Sequence, residues 1–293
     1  MKLFETRPSR TVEAFPLCPP LPVPEGYVAD QIHHLLRQVT ITDGPAQELL
    51  NYCDQDWRRF LYTWGLAQDL RGPALELGSN PYFTTSLLRS FTNLQLTYAN
   101  YFGPGPPVRE QQVCWLDGSV EAIRFHNFDI EAEPFPFEAA TFDVVFFCEI
   151  IEHLQRDPLK ALKEIKRVLR PNGALILTTP NVARLENVAR MIAGANIYDP
   201  YSGYGPLGRH NREYNKHELF LLLTWCGFEI DVMFSADVHT NRCDEEFRVP
   251  IDLLKSREHD LGQYIFVRSR SMQPAKGARP RWLYRSYPDE ELE

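Results

Sequence analysis

FDVVFFCEIIEHLQRDPLKALKEIKRVLRPNGALILTTPN, residues 142–181, is the stretch whose reading decides the fold. Phe142–Cys148 is apolar at every position but Asp143 and rich in Val and Phe, the mark of a strand buried on both faces. It stops at a polar cluster, Glu149-x-x-Glu152-His153. Over Asp157–Leu169 the period changes to that of a helix. Leu159, Leu162, Ile165 and Leu169 line one face, and Lys160, Lys163, Lys166 and Arg167 take most of the other. Pro171-Asn172-Gly173 turns the chain, and a second buried strand, Ala174–Thr179, runs into Pro180-Asn181.

The same alternation extends outward from this unit. Further strands are expected at Ala74–Leu77, Leu94–Ala99, Ala122–Phe128, Phe228–Phe234 and Gln263–Arg268, with helices at Thr84–Phe91 and Lys216–Cys226. Strands alternating with helices define a doubly wound α/β sheet, here of seven strands. Upstream, Ile32, Leu35, Leu36 and Val39 form one helical stripe, and Leu49, Leu50, Trp57, Phe60, Leu61 and Trp64 another. With the Pro-rich arm before them they make residues 1–72 an arm and helical cap. Residues 73–270 form the α/β domain, with 181–215 as a Tyr- and Gly-rich substrate loop, and 271–293 form a solvated tail.

Hydrophobic residues make up 44% of the chain, enough for a sizeable core, and the net charge of -8 excludes a broad basic face for nucleic acid. No apolar run approaches the roughly 18 residues of a membrane span. Met1–Val12 lacks the apolar core of a signal peptide. Cys18, Cys53, Cys114, Cys148, Cys226 and Cys243 are scattered without a Cys-x-x-Cys pair. Reduced thiols in a cytoplasmic protein are therefore expected.

PALELGSN (73–80) runs from a strand into a Gly-containing turn, which lets a ligand approach the backbone close to the next helix N-terminus. The following strand ends at Asn100, and the next continues into Asn127-Phe128-Asp129-Ile130-Glu131 and then Pro134-Phe135-Pro136-Phe137. In this order, and with the 142–181 unit after them, these segments resemble a class I S-adenosylmethionine (SAM)-dependent methyltransferase. The resemblance covers roughly residues 73–268 and implies a Rossmann-like sheet with SAM as cofactor. It implies that Glu76 faces the methionine amino group, Gly78 is the close-approach position, Asn80 stands where a later glycine is usual, Asn100 meets the ribose, and Asp129 binds the adenine amino group. Cys148 joins this set at the end of the fourth strand. Asn80 and Tyr82 both depart from the glycines of the usual turn.

Glu149, Glu152 and His153 stand at i, i+3 and i+4, on one face of a helical turn. Two carboxylates and an imidazole this close repel and perturb one another unless a cation joins them. The cluster also resembles that of metal-using O-methyltransferases, some acting on a terminal RNA ribose and others on catechol-like intermediates. That likeness implies Glu149, Glu152, His153 and His210 as ligands to Mg²⁺ or another divalent ion. A metal-free catalytic cluster is the open alternative. In either case Glu149, His153 and His210 are the catalytic candidates. Tyr198, Tyr201 and Tyr204, with Arg209 and Arg212, suit a sugar or planar acceptor. The expected function is O-methylation of a hydroxyl on a glycan or other small molecule. RNA ribose is the alternative acceptor, and a non-catalytic binding or scaffold protein with a decayed SAM pocket is the rival reading.

Overall fold

A computed structural model describes residues 18–42, 44–240 and 259–293. Its centre is a nine-stranded sheet in the order β1-β4-β5-β3-β2-β6-β7-β9-β8. The strands are β1 (Thr40–Ile41), β2 (Arg71–Leu77), β3 (Asn93–Asn100), β4 (Val108–Cys114), β5 (Val120–Asn127), β6 (Phe142–Cys148), β7 (Leu169–Pro180), β8 (Phe228–Ala236) and β9 (Tyr264–Ser271). Six α-helices appear among the described residues: α1 (Ala29–Leu36), α2 (Ala46–Ala67), α3 (Phe83–Phe91), α4 (Pro158–Val168), α5 (Leu185–Ile192) and α6 (Lys216–Trp225).

The five central strands, β5-β3-β2-β6-β7, are parallel. The chain builds outward from β2 through β3 and β5, then crosses back to β6 on the other side of β2. The carboxyl ends of β2 and β6 therefore flank the point where connectivity reverses, which is where open α/β sheets bind ligands. β9 inserts antiparallel between β7 and β8.

The seven expected strands are all present, and two more extend one edge. β4 pairs antiparallel with β5, and β1 pairs with β4. β4 reads VREQQVC, polar on both faces, because it is a near-edge strand that buries only Gln111 and Val113 fully. β7 also starts earlier than expected. Leu169 already pairs with Phe142, and an irregularity in register absorbs the Pro171-Asn172-Gly173 kink.

Strand alternation sends successive side chains to opposite faces, so one apolar run serves two cores. Val145, Phe147, Leu175 and Leu177 pack with Leu162 and Ile165 of α4 and Leu219 and Leu222 of α6. Val144, Phe146, Ala174 and Ile176 pack with Leu36 of α1, Trp57 and Leu61 of α2 and Leu87 of α3. The two N-terminal helices are thus part of the layer covering one face of the sheet.

The substrate loop is not all loop, since α5 lies within it. The tail also departs from the solvated expectation. Tyr284 is buried and donates to Asp157 Oδ1 at 2.6 Å, and the Trp225 indole donates to Ala278 O at 2.9 Å. Cys243 and most of the Pro-rich arm lie outside the described residues; Cys18, Cys53, Cys114, Cys148 and Cys226 are free thiols.

Gly227 makes the tail's return possible. It sits at φ +79, and a Cβ there would lie 2.0 Å from Gln273 O. That atom and the next nearest, on Gln273 and Pro274, are all backbone and cannot swing aside. Gly227→Ala is expected to cost about 2 kcal/mol or more, from a strained φ and the displaced strand exit together. Urea unfolding of the variant measures this, and a loss under 0.5 kcal/mol would show that the tail docks loosely.

Candidate active site

β2 delivers Glu76 and then Gly78 to the switch point. Gly78 adopts φ +64, a backbone conformation that residues with side chains rarely take, and a Cβ would press on Ile150 Cδ1 at 2.9 Å. Its N–H donates to Ala99 O at 2.8 Å, tying the turn to β3. Tyr82, at the next expected glycine, takes φ +69 as the residue before α3. Its ring is buried beside Tyr98 and Trp115, and its hydroxyl donates to Gln111 Oε1 at 2.9 Å. A large aromatic is tolerated there because β4, absent from the expected sheet, supplies its partner.

Asn100 is used within this turn. Its Oδ1 accepts from Asn80 N at 2.9 Å and Ser79 Oγ at 3.3 Å, and its Nδ2 donates to the Tyr82 hydroxyl at 3.3 Å. The amide expected to meet a ribose also shapes the turn. Asp129 likewise caps its own loop: its Oδ1 accepts from Glu131 N at 2.8 Å and Ala132 N at 3.2 Å.

A cavity of about 100 Å³ opens on the Gly78 turn, lined by Glu76, Cys148, Glu149 and, from α2, Tyr52, Arg59 and Phe60. Arg59 is buried and escaped the sequence reading. It donates to Asp56 Oδ1 at 3.1 Å and lies 3.8 Å from Glu149 Oε1. An Arg followed by an aromatic, on a helix otherwise read as a shield, gave no local signal. Only the docking of α2 brings it to the Gly78 turn.

Burial pushes the Glu76 carboxyl from the usual 4.5 up to about 8, with the Thr85 hydroxyl, which donates to it at 2.7 Å, pulling the other way. The folded chain then holds a proton that the unfolded chain releases near 4.5. The stability tied to Glu76 is full below that pH and is lost as pH rises through about 8. In urea unfolding from pH 5 to 9, Glu76→Gln should flatten this decline, and an unchanged slope in the variant would contradict it.

At the end of β6 the cluster takes shape. Glu149 sits at φ 54, a left-handed conformation unusual for a residue with a side chain. Its Oε1 accepts from Thr178 Oγ1 at 2.7 Å, at the end of β7. Burial raises its pKa while Arg59 and Thr178 lower it. Glu152, 0% exposed, accepts from Thr179 Oγ1 at 2.9 Å through Oε2. Its Oε1 is buried with no hydrogen-bond partner. Burial, and then the charge of Glu149, hold Glu152 well above the usual carboxylate range.

Both histidines are held by one nitrogen. His153 Nδ1 is 2.9 Å from Arg209 O, and His210 Nδ1 is 2.8 Å from Glu213 Oε1. Each Nδ1 is thereby the donor, which in a neutral imidazole leaves the lone pair on Nε2. Burial, and the neighbouring His210, hold His153 below the usual imidazole value. Ligand atoms of Glu152, His153 and His210 all lie within 4.8 Å of one another. Three of the four expected metal ligands converge, while Glu149 remains with Thr178 and Arg59.

Residues 89–177 match the family model described as a methyltransferase domain. A Mycolicibacterium smegmatis protein described as a probable S-adenosylmethionine-dependent methyltransferase is 34% identical over 96 residues, 33% of this chain and 32% of that protein. The compactin diketide synthase mlcB of Penicillium citrinum is 38% identical over 71 residues, 24% of this chain and 3% of the synthase. The chain thus spans a third or less of the length of these relatives. Among solved structures, a methyltransferase complexed with the Haloferax volcanii Trm112 activator is 15% identical with a TM-score of 0.47, covering 76% of this chain and 93% of that one. A Thermotoga maritima SAM-dependent methyltransferase is 16% identical with a TM-score of 0.46, covering 82% and 99%. Residues 89–177 are thus similar to a methyltransferase domain, set in an open α/β sheet whose switch point carries the site. SAM is the cofactor this fold implies.

Proposed function

We propose that the protein transfers the methyl group of SAM to a hydroxyl oxygen, aided by a divalent cation held by Glu152, His153 and His210. The convergence of those three groups carries this reading. The site suits a cation on two independent counts. Glu152 Oε1 is a buried carboxylate oxygen with no hydrogen-bond partner, 3.8 Å from His153 Nε2, and both imidazoles are oriented through Nδ1 by a carbonyl or a carboxylate, the usual support for metal-bound histidine. Two imidazoles and one carboxylate suit an imidazole-tolerant ion such as Mn²⁺ or Zn²⁺ better than Mg²⁺. When bound, such an ion lowers the pKa of an acceptor hydroxyl.

The chain's own residues do the rest. Glu76 and Glu149 offer carboxyl oxygens to the cofactor's ammonium, and Arg59 offers a guanidinium to its carboxylate. Thr178 and Thr179 fix Glu149 and Glu152 respectively. The acceptor oxygen attacks the methyl carbon in line, the carbon–sulfur bond breaks with its electron pair on sulfur, and the hydroxyl proton is lost at the cluster. Positioning of oxygen against methyl supplies a large share of the rate.

A non-catalytic binding protein is the second reading, favoured by two observations. Asn100 is consumed by the turn, and the cavity of about 100 Å³ is below the roughly 300–1,000 Å³ of small-molecule sites. Calorimetric titration of chelator-treated protein with SAM, with and without Mn²⁺ or Zn²⁺, decides between them. Micromolar SAM binding, with a metal site lost in His210→Ala, supports the enzyme. No SAM binding under any condition would leave the binding-protein reading.

A further inference from the structure

Next to the cluster lies a second, larger cavity of about 410 Å³, within the range of small-molecule sites. Its walls include His210, Glu186 of α5, His239, Gln263 and Tyr198. His210 thus belongs both to the three-residue cluster and to this cavity, while Glu149 lines the cavity at the Gly78 turn. A cofactor bound at the turn and a molecule in the larger cavity would approach the cluster from two sides.

Glu186 is held in place and left incomplete. Its Oε1 accepts from Gln263 Nε2 at 2.7 Å, while its Oε2 is buried without a hydrogen-bond partner. Gln263 is itself fixed, because its Oε1 accepts from Val238 N at 2.9 Å and His239 N at 3.0 Å. Gln263 Nε2 also stands 2.9 Å from His239 Nδ1. An amide nitrogen can only donate, so His239 accepts at Nδ1 and carries its proton on Nε2. The cavity wall therefore presents a fixed acceptor oxygen and an imidazole N–H, a pair suited to hydroxyl groups.

The charges around this pair are mixed. Arg184 is ion-paired with Glu213, and Asp199 Oδ2 accepts from His210 N at 3.0 Å. Arg184 and Arg190 oppose a cationic ligand, and Glu186 and Asp199 oppose an anionic one. A neutral ligand rich in hydroxyls meets neither repulsion. At the rim, Tyr198 is 84% exposed, and Tyr201 and Tyr204 beyond it are 93% and 82% exposed. Rings presented to solvent in this way offer apolar faces with a polar tip.

We infer that this cavity takes the methyl acceptor, that the acceptor is a neutral sugar with further rings extending over the exposed tyrosines, and that Glu186 orients it. This rests on the methyl-transfer reading above. The test is a glycan array of mono- and oligosaccharides, probed with the labelled full chain in S-adenosylhomocysteine, beside SAM calorimetry on each variant. The expected result is retention on a subset of oligosaccharides. Glu186→Ala and Glu186→Gln should lower retention on the order of tenfold to a hundredfold, the effect of removing a hydrogen bond to a charged group. Both should keep SAM binding, and Glu186→Gln, which still offers Gln263 an acceptor oxygen, should keep thermal stability. Tyr201→Ala should weaken oligosaccharides while sparing single rings. Retention unchanged in both Glu186 variants would overturn the role of Glu186. SAM binding with no sugar retained would overturn the acceptor class and leave methyl transfer standing. Loss of both would remove the underlying reading as well.

Discussion

His153→Ala is expected to lower the rate of methyl transfer by about 10²–10⁴-fold, the range for a positioned acid–base or ligand group. The labelled methyl of SAM, followed into the acceptor, gives the rate. SAM affinity should be unchanged, because His153 lines neither wall of the cavity at the Gly78 turn. His210→Ala should behave alike, since its Nε2 completes the same three-atom group. Glu213→Gln is more informative, because it keeps the shape while weakening the hold on His210 Nδ1, 2.8 Å away. Loss of such a support typically costs 10–100-fold in metal affinity or activity. Full turnover in both His153→Ala and Glu149→Ala would mean that the cluster is not the reacting centre.

Phe147→Ala is expected to cost about 3–5 kcal/mol, the usual loss for a buried Phe cut to Ala. Phe147 lies on β6 between Leu77 of β2 and Leu177 of β7, in the core under α4 and α6. The surrounding strands are hydrogen-bonded on both sides and cannot collapse into the space. Against a total stability of roughly 5–15 kcal/mol, this is a large fraction. Urea unfolding measures it. Val120→Ala, at a residue 66% exposed on β5, should change stability by less than about 0.5 kcal/mol and serves as the control. A loss under 1 kcal/mol for Phe147→Ala would place the core elsewhere.

The legible parts of the chain were those with a strong local period. β6 was read with the bounds it has, Phe142–Cys148, because every residue of a central parallel strand except Asp143 is apolar. α4 was equally plain, with its leucines at helical spacing and Asp157 capping its first turn through Leu159 N at 2.9 Å. β4 was missed for the opposite reason. Its burial rests on a glutamine and a valine, and its value lies in what Gln111 holds, namely Asn80 and Tyr82. α5 keeps helical spacing at Leu185, Val188 and Ile192, but it is only eight residues long and lies in a segment whose Tyr and Gly content reads as loop.

Order of elements, strand identity and the residues at the ends of β2 and β6 follow from the sequence by itself, because hydrophobic periodicity and turn chemistry are local properties. The sequence also places Glu149, Glu152 and His153 near one another, since they fall within five consecutive residues. Which of them converge on His210 was decided only by tertiary structure. That convergence depends on Thr178 and Thr179 of β7 drawing the two carboxylates to different partners, and on a backbone carbonyl at Arg209, 56 positions along the chain, turning His153. The same holds for Arg59 beside Glu149 and for Asn100 folded into the turn. Each depends on contacts between residues distant in sequence, and no local pattern records which side chain a docked helix or a neighbouring strand will meet.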